Sequence, residues 1–147
     1  YMDGCLIDSK REEINGEYSV KDGTRIIAAH AFSRAEGLEV LKLPEGLKVI
    51  CNATFDECTS LNTVEFSEGL EVIGNNAFRK CAIEEITIPE GVKTIGDLAF
   101  NGCKLRNVTL PKSLESIGDD VFGSNSINNT KNKQQRCFRD ISKLLQR

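Results

Sequence analysis

Residues 88–105 read IPEGVKTIGDLAFNGCKL, and the same arrangement recurs along the chain. The five phenylalanines Phe32, Phe55, Phe78, Phe100 and Phe122 follow one another at intervals of 23, 23, 22 and 22 residues. Five residues before each stands an isoleucine: Ile27, Ile50, Ile73, Ile95 and Ile117. Eight before are Thr24, Leu47, Leu70, Val92 and Leu114; nine before are Gly23, Gly46, Gly69, Gly91 and then Ser113. Eleven before are Lys21, Pro44, Ser67, Pro89 and Pro111. Further back lie Val20, Leu43, Phe66, Ile88 and Leu110, then Tyr18, Leu41, Val64, Ile86 and Val108, then Leu38, Leu61, Ile83 and Leu105, with Asn15 as the polar exception. Self-similarity at a fixed period of 20–50 residues marks a stacked repeat and is sought before any other signal.

Each copy therefore reads L-x-x-V-x-L-P-x-G-L-x-x-I-G-x-x-A-F-x-x-C, and the one-residue slip falls only between the Phe and the next Leu. The alternation in its first part is that of a short strand with one buried face. Proline has no N–H for a ladder and ends the strand. The Gly two residues later takes positive φ cheaply, as a turn needs. Residues such as 95–100, IGDLAF, then return beneath the strand, with one helical turn expected there. A single coil cannot cover its own apolar side chains; neighbours stacked at about 4.8 Å cover them. Burying one Phe and one Ile per coil contributes on the order of 3–6 kcal/mol before chain entropy is counted. The expected fold is a repeat solenoid, a leucine-rich-repeat-like right-handed coil stack. A parallel sheet lies on one face, with short helical or irregular return segments on the other.

This unit resembles the BspA-like leucine-rich repeats, a surface-protein type found in bacteria and some protists. LPEGLKVICNATFDECTSL (43–61), IPEGVKTIGDLAFNGCKL (88–105) and LPKSLESIGDDVF (110–122) carry the resemblance, which covers about residues 17–123. Residues 3–14, DGCLIDSKREEI, resemble a hairpin segment that precedes such runs. The expected organisation is a hairpin-like cap or partial repeat over 1–16, five repeats over 17–123, and a polar linker with a C-terminal segment over 124–147. In that last segment Phe138, Ile141, Leu144 and Leu145 fall on one helical stripe. A helix there would cap the last coil or dock a partner; the alternative is a flexible end. Departures are local: Cys51 stands where Gly is usual, and Lys21 and Ser67 where Pro is.

Composition narrows the function. With 39% apolar residues the chain can form a core, and no apolar run approaches the roughly 20 residues of a spanning helix. No signal peptide is visible, and membrane insertion is not expected. The net charge of −3 conceals a basic end, where Lys131, Lys133, Arg136, Arg139, Lys143 and Arg147 face Asp140 alone. The remainder is acidic, so nucleic acid is not expected as a partner, since phosphate affinity comes from Lys and Arg. His30 is the only histidine, and the repeat fixes no nucleophile beside it. Glu84 and Glu85 are adjacent on an expected strand and would face opposite ways, so no acid/base pair forms. Glycines are spread one per coil, without a phosphate-cradling loop. Asn-x-Thr triplets begin at Asn52, Asn107 and Asn128 and matter only in a glycosylating host. Cys58, Cys81 and Cys103 recur once per coil, too far apart in sequence for zinc pairing, and are expected to form a file of small buried side chains; Cys5 and Cys137 lie outside it. No enzyme activity, cofactor or metal is expected.

The stacked strands should instead display outward columns: Glu17, Val40, Thr63, Glu85 and Asn107, and Ser19, Lys42, Glu65, Thr87 and Thr109. These vary between coils while the inward columns do not. Val40, Lys42, Thr63, Glu65, Glu85, Thr87, Asn107 and Thr109 are the candidate partner-binding residues. The columns hold no aromatic residue, so contacts there should be polar and of modest affinity. The resemblance implies a non-catalytic interaction module of a monomeric cell-surface or secreted adhesin-like protein, with a host or neighbouring-cell surface protein as partner. The alternative is a spacer within a longer array.

Overall fold

The computed structural model describes residues 1–132. The chain winds through coils that each contribute to two parallel sheets. The longer strands are β2 (Gly16–Ser19), β4 (Leu38–Lys42), β6 (Thr63–Glu65), β8 (Glu85–Thr87), β10 (Asn107–Leu110) and β12 (Asn129–Asn132). The two-residue strands are β1 (Cys5–Leu6), β3 (Ile26–Ile27), β5 (Val49–Ile50), β7 (Val72–Ile73), β9 (Thr94–Ile95) and β11 (Ser116–Ile117). The short strands form one unbroken sheet in the order β1-β3-β5-β7-β9-β11. The longer ones divide into two three-stranded sheets, β2-β4-β6 and β8-β10-β12.

The isoleucine preceding each Phe sits in the rear sheet, and the residue after Pro-x is the expected turn glycine, with Gly46 at φ 77° and Gly91 at φ 104°. Between the two sheets the core is a file of repeated side chains. Phe32, Phe55, Phe78, Phe100 and Phe122 are all buried, with successive ring centroids 4.8, 5.0, 5.2 and 5.8 Å apart and nearly parallel planes. Leu6 takes the place of the isoleucine in the first, partial coil: it pairs with Ile27 and is fully buried. A tight turn through Asp3 and Gly4 closes the Met2–Cys5 bridge, so the opening segment is a small hairpin.

Of the two forms expected for the return segment, helical or irregular, the irregular one is present. The residues two before and two after each Phe are in the left-handed region: His30 and Arg34, Ala53 and Glu57, Asn76 and Lys80, Leu98 and Gly102, Asp120 and Ser124. In the first four of these coils their N–H groups, and that of the Phe between them, turn away from the local chain and donate to the next coil. In the second coil Ala53, Phe55 and Glu57 donate to the carbonyls of Asn75, Ala77 and Arg79, at 2.8 Å each. A helix would spend these donors inside the segment; stacking spends them between coils. Left-handed backbone costs roughly 1–2 kcal/mol per residue. Two such residues per coil cost about 2–4 kcal/mol, which the burial of one Phe and one Ile offsets, and the inter-coil hydrogen bonds add to that return.

Cys51 and the glycines of the later coils differ in what the preceding coil places beside them. Asn52 Oδ1 accepts the N–H of Asn75 in the next coil at 2.9 Å, and a Cβ on Gly74 would lie 2.7 Å from both the Asn52 N and that oxygen. The coil before Cys51 carries Ala29 at the position of Asn52, so no side chain crosses there. The same ladder continues as Asp97 N to Asn75 Oδ1 at 2.8 Å and Asp119 N to Asp97 Oδ1 at 2.7 Å.

The stretch 124–132, expected as polar linker, contains β12, which pairs with β10 from Asn107↔Asn129 to Leu110↔Asn132. The helix expected over 135–146, and Cys137 with it, lies outside the described residues.

Candidate functional site

All eight candidate residues lie on the longer strands. Val40, Thr63, Glu85 and Asn107 form one column and Lys42, Glu65, Thr87 and Thr109 the other; each is exposed or half-buried. The inward neighbours Leu41, Ile86 and Val108 are buried, as strand alternation requires. Register pairs Glu17↔Val40↔Thr63 and Ser19↔Lys42↔Glu65 in the first sheet, and Glu85↔Asn107 and Thr87↔Thr109 in the second. Lys42 Nζ lies 2.9 Å from Glu17 Oε1, and that hydrogen bond raises the lysine pKa above its ordinary value.

The single strand row expected from the repeat is broken between β6 and β8. No backbone hydrogen bond links Thr63–Glu65 to Glu85–Thr87; the nearest on either side are Ala82 N to the Leu61 carbonyl, 2.8 Å, and Lys93 N to the Glu71 carbonyl, 2.9 Å. Two sequence features coincide there. The repeat shortens from 23 to 22 residues between Phe78 and Ile83. Phe66 also replaces the Val, Leu or Ile of the other coils, and its ring stands edge-on to Phe78, centroids 6.2 Å apart. Phe66 and Val64 are only half-buried, whereas Leu43, Leu41, Ile88 and Ile86 are buried. Both features fall at the coil where the front pairing stops.

The resulting notch has a volume of about 360 Å³ and is lined by Asn62, Thr63, Val64, Ala82, Glu84 and Glu85. Glu84 and Glu85 were expected to face opposite ways. Glu84 instead precedes the strand in a bend, where alternation does not apply, so both are exposed and both line the notch.

The cysteine file forms as expected, with a bonding role the sequence did not reveal. Cys58, Cys81 and Cys103 are buried and free. Their thiols donate to the carbonyls of Phe32, Phe55 and Phe78 in the preceding coils, at 3.1, 3.3 and 3.0 Å. Asn125 takes over this role in the last described turn, its Nδ2 donating to Phe100 O at 2.9 Å. Burial pushes the Cys58 thiol up to about 12 and the Cys81 thiol well above its usual range. A thiol needs to ionise to act as nucleophile or metal ligand, so these two are structural. His30 is exposed on the turn ladder, its carbonyl accepting from Arg11 Nη1 at 3.2 Å. Among the described residues no group of three or more His, Cys, Asp or Glu is placed to hold a metal ion, and no helix is long and apolar enough to cross a membrane.

A charge network crosses the turn ladder. Arg79 grips both oxygens of Asp56, at 2.8 and 2.9 Å, while Glu57 receives Arg34 at 3.0 Å and Lys80 at 3.2 Å. The Lys80 hydrogen bond, with Arg34 beside it, holds the Glu57 carboxyl below its ordinary value. These pairs tie consecutive coils together.

Stacked parallel coils, a continuous Phe file and a display of variable outward residues define a leucine-rich-repeat solenoid. The chain belongs to the BspA type leucine rich repeat family, whose model matches residues 25–145 with 6 copies. Three solved structures are similar. A leucine rich cell surface protein from Faecalibacterium prausnitzii is 28% identical, TM-score 0.76, over 82% of this chain and 32% of its own. The leucine rich repeat protein of T. pallidum is 31% identical, TM-score 0.69, over 71% of this chain and 50% of its own. The pneumococcal vaccine antigen PcpA, at 23% identity and TM-score 0.77 over 91% of this chain and 35% of its own, shares the fold. The chain thus spans between about a third and a half of the length of these proteins. A comparison with curated proteins gives no significant match.

Proposed function

We propose that this solenoid is a non-catalytic protein-interaction module that binds through the outward columns of β4, β6, β8 and β10, as part of a cell-surface or secreted adhesin-like protein. The observation that carries the reading is the contrast within each strand. Inward positions repeat one chemistry, while Val40, Lys42, Thr63, Glu65, Glu85, Thr87, Asn107 and Thr109 change from coil to coil on a backbone fixed by the core. A surface held rigid in advance loses little entropy on binding. The surface setting of the Faecalibacterium protein supports the location, and membership of the repeat family supports the module.

The test is capture of partner proteins from a surface extract on the immobilised chain. It is repeated with Lys42, Glu65, Thr87 and Thr109 all changed to alanine. Loss of a specific partner with the fold intact supports the reading. Undiminished capture, or none, favours the second reading, a spacer whose ladders serve only to extend an array.

A further inference from the structure

We infer that the notch between β6 and β8 receives an arginine side chain from an extended segment of a partner protein; this rests on the interaction-module reading. Three observations meet at this place. The facing edges of β6 and β8 are unpaired with one another, although both strands are paired on their other sides. Their edge-facing N–H and C=O groups therefore remain open to a ligand, the situation that strand edges elsewhere exploit in peptide recognition. The notch, about 360 Å³, has room for one long side chain and not for an inserted strand, because the coils stay joined by the Leu61–Ala82 hydrogen bond and by the Phe78–Phe100 stack at 5.2 Å.

Charge selects the occupant. Glu84 and Glu85 line the notch and Glu65 stands on the adjoining strand, each exposed and, among the described residues, none in an ion pair. Lys42, hydrogen-bonded to Glu17, also acts on Glu65, and Lys104 and Arg106 share the neighbouring cleft with Glu84. None of the three lines the notch itself. Val64 and Ala82 provide an apolar wall for a methylene stem. A guanidinium presents five donors in a plane, enough to satisfy carboxylate and carbonyl oxygens together, which an ammonium does less well.

The probe is a blocked heptapeptide, Gly-Arg-Gly-Arg-Gly-Arg-Gly, titrated into the intact isotope-labelled chain and followed by amide NMR shifts. Its Gln analogue, with every Arg replaced, is run beside it. Saturable shifts confined to 62–66 and 82–87, absent with the Gln analogue, are expected. Glu84→Gln with Glu85→Gln should weaken binding about three- to tenfold, and Glu115→Gln, on the far side of the coil, should not. Phe66→Leu should abolish it by letting the seam close. Shifts spread over all acidic surfaces, or an equal loss with Glu115→Gln, would overturn the proposal in favour of diffuse attraction. Shifts at the seam that grow with protein concentration alone would assign it to a second copy and overturn it too. A seam that binds the peptide while partner capture fails sinks the module reading alone; the reverse sinks the notch alone.

Discussion

The same coils are bound together differently on their two faces. At the rear, the two-residue strands pair without interruption from β1 to β11, and the ladder passes straight through Val72–Ile73 and Thr94–Ile95. At the front, the longer strands part between Thr63–Glu65 and Glu85–Thr87, though the coils concerned are the same two. Length of strand therefore does not decide which ladder survives. The rear is pinned on both sides, by the buried isoleucines and by the Asn52–Asn75–Asp97–Asp119 ladder. Among the described residues the front has no such second ladder, and its pairing stops at the coil that carries the half-buried Phe66.

Removing what the two faces share has the largest expected effect. Phe78 stacks on Phe55 and Phe100 and meets the edge of Phe66, so Phe78→Ala should cost about 3–5 kcal/mol. Chemical denaturation should then show both faces failing together; loss of the front alone would show that the Phe file is not their common support.

Breaking the rear selectively comes next. Gly74→Ala places a Cβ against the Asn52 backbone and should cost about 1–3 kcal/mol. Combining it with Asn52→Ala should recover only part of this, since the clash is with main chain as well as side chain. Full recovery would mean that the amide alone excludes a Cβ.

Healing the front is a smaller change. Phe66→Leu gives this coil the residue type of Leu43 and Leu110 and should alter stability by less than about 1.5 kcal/mol. Amide exchange at Val64 and Thr87 should nonetheless slow, as β6 and β8 pair. Unchanged exchange would move the cause of the break to the shortened loop at 79–82.

The smallest effect concerns charge. Glu57 and Glu71 both have carboxyls held below the ordinary 4.5, each first by a lysine hydrogen bond, from Lys80 and Lys48. Between the lowered folded value and 4.5 the folded chain binds fewer protons than the unfolded one, so stability rises with pH there. The contribution is fully present above 4.5 and is lost as pH falls through the folded values. Glu57→Gln should flatten part of that rise in thermal melts, and added salt should shrink the difference. An unchanged slope at low salt would show that the network does not stabilise the fold.

Much of this was legible in the residue order, because a stacked repeat writes its core as a column. The Phe and Ile files, the strand and turn positions, the turn glycines and the outward columns follow from spacing alone, since position in a strand decides which face a side chain takes. The candidate surface was equally legible as exposed positions. Its interruption was not, although both signs of it, Phe66 and the step from 23 to 22 residues, stood in the sequence. A single bulky residue in an apolar column still satisfies the pattern; only the structure shows it half-buried where the front pairing stops.

The return segment shows the same limit from the other side. His30, Ala53, Asn76, Leu98 and Asp120 share no side-chain chemistry, yet all adopt positive φ. Nothing local asks for it; the reward, a hydrogen bond to the following coil, exists only once that coil is in place. What the amino-acid order determined by itself was the period and the identity of the buried files. What tertiary contact decided was where the backbone bonds go, why three thiols cap phenylalanine carbonyls, and where the front sheet opens, because each depends on a neighbour one full coil away.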